Sequence, residues 1–137
     1  MKRKILIVDD EEGITEAFER LFRDEYEVLL TNDGEDAIRL INEKHPELVV
    51  LDWRLKGTVE GKDVLLFSKQ EHPEIPVCVL TASTHLQNEI QSLGANHCFF
   101  KPCQNLKEQI RQIVPPQDGA SRPAGFSASN KDASIQI

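Results

Sequence analysis

The 137-residue sequence predicts an alternating α/β fold, a doubly wound five-stranded parallel sheet in the order 2-1-3-4-5. Three observations predict it. Short apolar runs alternate with amphipathic segments five times, and parallel strands need the crossover connections that such segments supply. The first, third and fourth runs are apolar nearly throughout, as strands covered on both faces must be. The second run ends in Thr31-Asn32-Asp33 without reactive groups, which suits a sheet edge.

Strands are expected at 4–8, 27–31, 48–51, 77–80 and 98–100. Between the first two, Ile14, Ala17, Phe18, Leu21 and Phe22 fall on one helical face. Ala37, Ile38 and Ile41 mark the second helix, and Val64, Leu65 and Phe67 the third, over 62–70. Leu86, Ile90 and Leu93 predict the fourth helix, and Leu106, Ile110, Ile113 and Val114 the fifth. Thr31-Asn32-Asp33-Gly34, His45-Pro46 and Leu93-Gly94-Ala95-Asn96 punctuate the starts and stops.

One domain of residues 1–114 is expected, followed by a Pro/Gly/Ser-rich tail or linker remnant over 115–137. The terminal Ile135-Gln136-Ile137 could add an edge strand to a partner, but an incidental end is the simpler reading. The charge balance, 16 Lys+Arg against 23 Asp+Glu, nets −7 and repels phosphate backbones and anionic membranes. Neither direct nucleic-acid contact nor membrane binding is expected. No apolar run approaches the ~20 residues that span a bilayer, and no signal peptide is expected. Cys78, Cys98 and Cys103 lack zinc or disulfide spacing, so reduced, buried thiols in a cytoplasm are the expectation, ahead of a metal cluster of His97, Cys98 and Cys103.

Ligands collect at the carboxyl ends of strands in an open parallel sheet. Asp9 and Asp10 end the first strand, Asp52 the third, Thr81 the fourth and Lys101 the fifth. Carboxylates gathered there repel by roughly 4 kcal/mol per pair at 4 Å and an effective dielectric near 20. A cation must offset that. Hard oxygen donors suit Mg²⁺, and Lys101 adds a fixed positive charge. Acidic residues at a helix N-terminus explain Glu11 and Glu12, but not Asp52 at the end of an apolar strand.

Residues 2–114 resemble the receiver domain of bacterial two-component response regulators, with the flavodoxin-like (βα)5 fold. The resemblance rests on Ile5-Leu6-Ile7-Val8-Asp9-Asp10-Glu11, Leu48-Val49-Val50-Leu51-Asp52, Leu80-Thr81-Ala82-Ser83 and Lys101-Pro102, four separated motifs in order. It implies that Asp52 accepts a phosphoryl group from a phosphohistidine on a sensor histidine kinase or histidine phosphotransfer protein. It further implies Mg²⁺ held by Asp9, Asp10, Asp52 and the main-chain carbonyl of Arg54. Thr81 and Lys101 would contact the phosphoryl group, Ala82 would leave room for it, and Lys101-Pro102 would be cis. Output would pass to an unidentified downstream protein, and homodimerisation could use the face of the fourth helix, fifth strand and fifth helix. Such a chain takes part in its own phosphorylation without being a metabolic enzyme.

The sequence departs from the family pattern at two places. Nine steps separate Asp52 from Gly61 where the family usually has eight, and Lys56 holds the usual proline position, so this loop is expected to bulge or move more. Arg54, with Ser83 across the site, is expected to influence water access to the acyl phosphate. Cys98 stands where the family has its switch aromatic, and Phe99 falls on the opposite face of the strand. Coupling to the output face is therefore expected to be smaller or mechanically different.

Other functions fit less well. A Mg²⁺-dependent phosphatase or phosphotransferase using Asp9 would need Asp where Glu11 stands, and a substrate cap. A flavin or nucleotide site would need phosphate-binding amides in place of Asp9-Asp10-Glu11-Glu12. A degenerate receiver serving only as a docking scaffold leaves three mutually repelling carboxylates without a purpose.

Overall fold

In the computed structural model, which describes residues 2–117, the alternating pattern becomes a three-layer sandwich. The strands are β1 (Arg3–Val8), β2 (Tyr26–Thr31), β3 (Leu48–Asp52), β4 (Val77–Thr81) and β5 (His97–Phe100). The helices are α1 (Glu12–Phe22), α2 (Gly34–Lys44), α3 (Gly61–Glu71), α4 (Gln87–Ser92) and α5 (Leu106–Ile113). All strand pairs are parallel, in the order β2-β1-β3-β4-β5. Fold class, strand order and all elements but the fourth helix follow the expectation. The tail lies almost entirely outside the described residues.

Because side chains alternate along a strand, each strand feeds two cores. Ile5, Ile7, Leu48, Val50, Cys78 and Leu80 point towards α1 and α5, where Phe18, Phe22, Leu106 and Ile110 meet them. Leu6, Val8, Val49, Leu51, Val77 and Val79 point the other way, against Ala37, Ile41, Val64, Leu65 and Ile90 of α2, α3 and α4. Register places the reactive strand ends level with one another: Val8 pairs with Leu51, Asp52 with Leu80, and Thr81 with Phe100.

Helix ends follow local chemistry. Asp33 caps α2 by accepting the Asp36 backbone N–H at 3.0 Å. The Glu60 N–H donates to the Asp63 carboxylate at 2.9 Å at the start of α3. The fourth helix differs from expectation. A 3-10 turn at Thr84–Leu86 precedes a helix of only six residues, so Leu86 and Leu93 fall outside it and Ile90 alone is fully buried. Ser83, Thr84 and His85 are weak helix formers, and Gly94 at φ +112 stops the segment beyond Leu93.

The three cysteines are free and buried, as packing predicts. Cys78 and Cys103 belong to the α1/α5 core and Cys98 to the opposite one, so the sheet separates Cys98 from Cys103. The imagined His97/Cys98/Cys103 metal cluster does not form.

Tyr26 ties the sheet to the end of α5. Its hydroxyl donates to the Val114 carbonyl in the core, and its ring meets Phe22 edge-on at 5.9 Å. Burial, then the neighbouring Glu25 charge, pushes the phenol far above its usual ionisation range, so it stays a donor. Tyr26→Phe is expected to cost about 1 kcal/mol by orphaning that carbonyl, seen as a lower urea midpoint with an unchanged m value.

Candidate functional site

Four strands deliver their last residues to one cleft of about 640 Å³ at the carboxyl edge of the sheet. Asp52, Thr81 and Lys101 line it together with Asp10, Arg54 and Ala82. Asp9, 1% exposed, lies just beneath. Every site residue expected from the sequence is thereby brought to one place.

Backbone turns hold the acids. Asp9 accepts the Glu11 N–H at 3.0 Å, and Asp52 Oδ1 accepts the Arg54 N–H at 3.3 Å. Thr81 Oγ1 accepts the Ser83 N–H at 3.1 Å, which orients the hydroxyl at the rim. The Lys101 N–H donates to the Thr81 carbonyl at 2.9 Å, and Lys101-Pro102 is cis. Lys101 Nζ reaches into the cleft, 3.1 Å from Asp9 Oδ2 and 3.5 Å from Asp52 Oδ1.

The electrostatics follow from burial. Asp52 is pushed up to about 6, first by desolvation and then by the Asp9 charge, with Lys101 and the Arg54 N–H opposing and Asp10 adding. For Lys101, burial alone would lower the ammonium, but the charges of Asp52 and Asp9 outweigh it and the net shift is upward. Carboxylate oxygens of Asp9, Asp10 and Asp52 lie within 4.8 Å of one another, the only such trio of potential metal ligands among the described residues. Three carboxylates against one lysine leave a charge of −2. Hard oxygen donors around that deficit fit Mg²⁺, and no His or Cys joins the trio.

Side chains anchor the Asp52–Gly61 loop at three points. Leu55, 8% exposed, inserts into the core shared by α2, α3 and α4. The Thr58 hydroxyl donates to Glu35 at 3.3 Å, and Val59 packs on Gly34 so closely that a Cβ there would stand 2.5 Å from its carbonyl. Leu55 is the residue that sequence reasoning missed; one large apolar side chain between Arg54 and Lys56 was the available signal. The Arg54 and Lys56 side chains are exposed at the cleft rim. Gly61 presses on the site from behind, since a Cβ would lie 2.5 Å from the Trp53 carbonyl and 3.0 Å from that of Asp52. Gly61→Ala is expected to destabilise by about 2 kcal/mol, because backbone must move, and to weaken Mg²⁺ binding; urea unfolding with and without Mg²⁺ checks both.

Cys98 and Phe99 point to opposite sides of β5, as strand alternation requires. Cys98 is buried with Val79 and Ile90, whereas Phe99 stacks on His97 at 6.0 Å and packs towards the α1/α5 core.

Comparison with known proteins places this geometry in a family. The ycf27 protein of Cyanophora paradoxa, named a probable transcriptional regulator, is 36% identical over 141 aligned positions, covering 99% of this chain and 57% of its own length. That of Porphyridium aerugineum is 34% identical over 125 positions, covering 88% of this chain and 51% of its own. The chain therefore spans about half the length of the curated relatives it matches. Among solved structures, the receiver domain of NtrX from Brucella abortus superposes with a TM-score of 0.74 at 29% identity, covering 80% of this chain and 97% of that one. TrrA from Thermotoga maritima, solved in complex with Mg²⁺ and BeF, gives 0.74 at 27%, covering 82% and 99%. None of the described helices is long and apolar enough to cross a membrane. Residues 5–114, from within β1 to the end of α5, match the response regulator receiver domain. On a match of that extent, the chain belongs to the receiver domain family of two-component response regulators.

Proposed function

We propose that Asp52 is the phosphoacceptor, taking a phosphoryl group from the phosphohistidine of a sensor histidine kinase or a histidine phosphotransfer protein. The observation that carries this is Lys101 Nζ set between Asp9 and Asp52 inside an acid-lined cleft. The Arg54 N–H and Lys101 both address Asp52 Oδ1, so in-line attack from Oδ2 disturbs neither contact. The P–N bond of the donor breaks as the P–O bond to Asp52 forms. Lys101 and, after reorientation, the Thr81 hydroxyl then donate to the new phosphoryl oxygens, and Ala82 leaves them space.

Asp9, Asp10, Asp52 and the Arg54 carbonyl would hold Mg²⁺. When bound, it supplies charge neutralisation at the phosphoryl oxygens. Residues 1–114 form the receiver unit and 115–137 the tail or linker, with output through an unidentified protein partner or a following segment in the cytoplasm. The α4-β5-α5 face can carry a homodimer. The relatives' description as transcriptional regulators supports control of transcription by the whole protein, while the −7 charge of this chain argues against nucleic-acid contact through the receiver itself.

The test uses Trp53, the sole tryptophan and the immediate neighbour of Asp52. Its fluorescence is expected to respond saturably to Mg²⁺ and again to beryllofluoride. Intact mass spectrometry with a small acyl phosphate donor is expected to show one added phosphoryl group, absent in Asp52→Asn. An unchanged mass and no second fluorescence response would leave only the scaffold reading.

A further inference from the structure

A groove of about 520 Å³ runs between α3 and α4, next to the acidic cleft, and Arg54 and Leu55 line both. Trp53 and Leu86 supply the rest of its apolar lining, each partly exposed. Because α4 has only six residues, Leu86 stays on the preceding 3-10 turn. The two walls repeat one pattern. On α3, Lys62 lines the groove and Leu66 follows one turn on, along the same edge. On α4, Glu89 lines it and Leu93 follows at the same spacing. Lys62 and Glu89 are exposed, and neither side chain has an ion-pair partner among the described residues. Leu66, 39% exposed, is the only large hydrophobic residue exposed among the described residues, and Leu93 is partly buried. Arg54 and Glu60 add one charge of each sign at the end nearest the acidic cleft, so the lining is neutral as a whole.

We propose that this groove pairs with the same groove of a second copy of the chain, across a two-fold axis running along it. Both helices link parallel strands, so α3 and α4 run in the same direction, back from the carboxyl edge of the sheet. The axis keeps each position along the groove and exchanges the walls, so α3 of one copy faces α4 of the other. Lys62 then meets Glu89 of the second copy, Leu66 meets Leu93, and each pairing occurs twice. The charges favour a copy over a partner of one sign, because a strongly acidic or basic surface would meet a like charge on one wall. A chain of net charge −7 repels its copies, and repels them least where the meeting surface is itself neutral. Pairing also takes Leu66 and the open flank of Trp53 out of water. With one ion pair and one leucine pair on each side of the axis, the contact is small and belongs with transient interfaces. It lies on the α3 side of α4, apart from the α4-β5-α5 face.

The experiment follows self-association of the whole chain by analytical ultracentrifugation over a wide concentration range, at low ionic strength with Mg²⁺ saturating. A monomer–dimer equilibrium is expected that weakens as salt rises. Trp53 fluorescence is expected to change over the same concentrations, because its ring lines the groove. Lys62→Glu and Glu89→Lys are each expected to weaken association at least tenfold, since like charges then face each other twice. An equimolar mixture of these two variants is expected to recover the parent's affinity. In the mixed pair the new acid of one variant meets the new lysine of the other, while an unaltered Lys62 still meets an unaltered Glu89. Leu66→Gln, a change at an exposed position, is expected to weaken association without disturbing the fold. A chain that stays monomeric at every concentration would overturn the proposal. So would a dimer indifferent to Lys62→Glu and Leu66→Gln, which would put the contact on another face.

Discussion

Lys101→Met is expected to destabilise the ion-free protein by about 3 kcal/mol at pH 7.5, measured by urea unfolding. Removing one partner of a buried ion pair leaves the other uncompensated, and here two acids, Asp9 and Asp52, lose their cation together. The group formed by Asp9, Asp10, Asp52 and position 101 passes from a charge of −2 to −3. Mg²⁺ is therefore expected to recover most of the lost stability, and its midpoint in the Trp53 titration to move to lower concentration. The deficit is expected to shrink near pH 5, where Asp52, already pushed up to about 6, takes on a proton and relieves the crowding. Phosphoryl transfer to Asp52 is expected to slow at least tenfold even with Mg²⁺ saturating, because the fixed positive charge facing the transferring group is gone. A variant that unfolds at the parent's midpoint without Mg²⁺ would show that Lys101 is solvated rather than engaged by the acids.

Asp52→Asn works in the opposite direction. The carboxyl has an unfolded value of 3.8 and a folded one of about 6, so between them the folded chain binds the proton more tightly than the unfolded chain. Stability of the parent therefore falls as pH rises through that window, and the whole deficit is present above it. At 1.36 kcal/mol per pKa unit this amounts to about 2–3 kcal/mol. The ion-free Asn variant is expected to be more stable than the parent by about 2 kcal/mol at pH 7.5, and equal to it near pH 4. Saturating Mg²⁺ is expected to narrow or reverse the gap, since the parent gains binding energy that the variant lacks. Thermal unfolding at the two pH values, with and without Mg²⁺, gives the four numbers needed. Together with the lost phosphoryl group in the mass spectrum, a variant more stable than its parent yet inert separates a functional charge from a structural one.

Fold and site were legible to different depths. Val49, Val50 and Leu51 announce a strand covered on both faces, and Phe18 and Phe22 announce a helix stripe, because alternation and helical spacing are properties of the local chain. The short α4 was not legible. Leu86, Ile90 and Leu93 have helical spacing, but spacing records only which side could be buried, and Gly94 together with weak helix formers decided how many turns survive. The Asp52–Gly61 loop looked loose by length, while its position depends on Leu55 finding a core to which residues far away in sequence contribute.

The sequence by itself determined the strand order, the two faces of each strand and the set Asp9, Asp10, Asp52, Thr81 and Lys101, since reactive residues at strand ends must meet once the strands lie parallel. The tertiary structure alone decided that Lys101 lies between Asp9 and Asp52 and that burial raises the Asp52 pKa. Distances between side chains on separate elements depend on register, twist and packing, and desolvation depends on everything that surrounds a group. Neither is written in the spacing of residues along one segment.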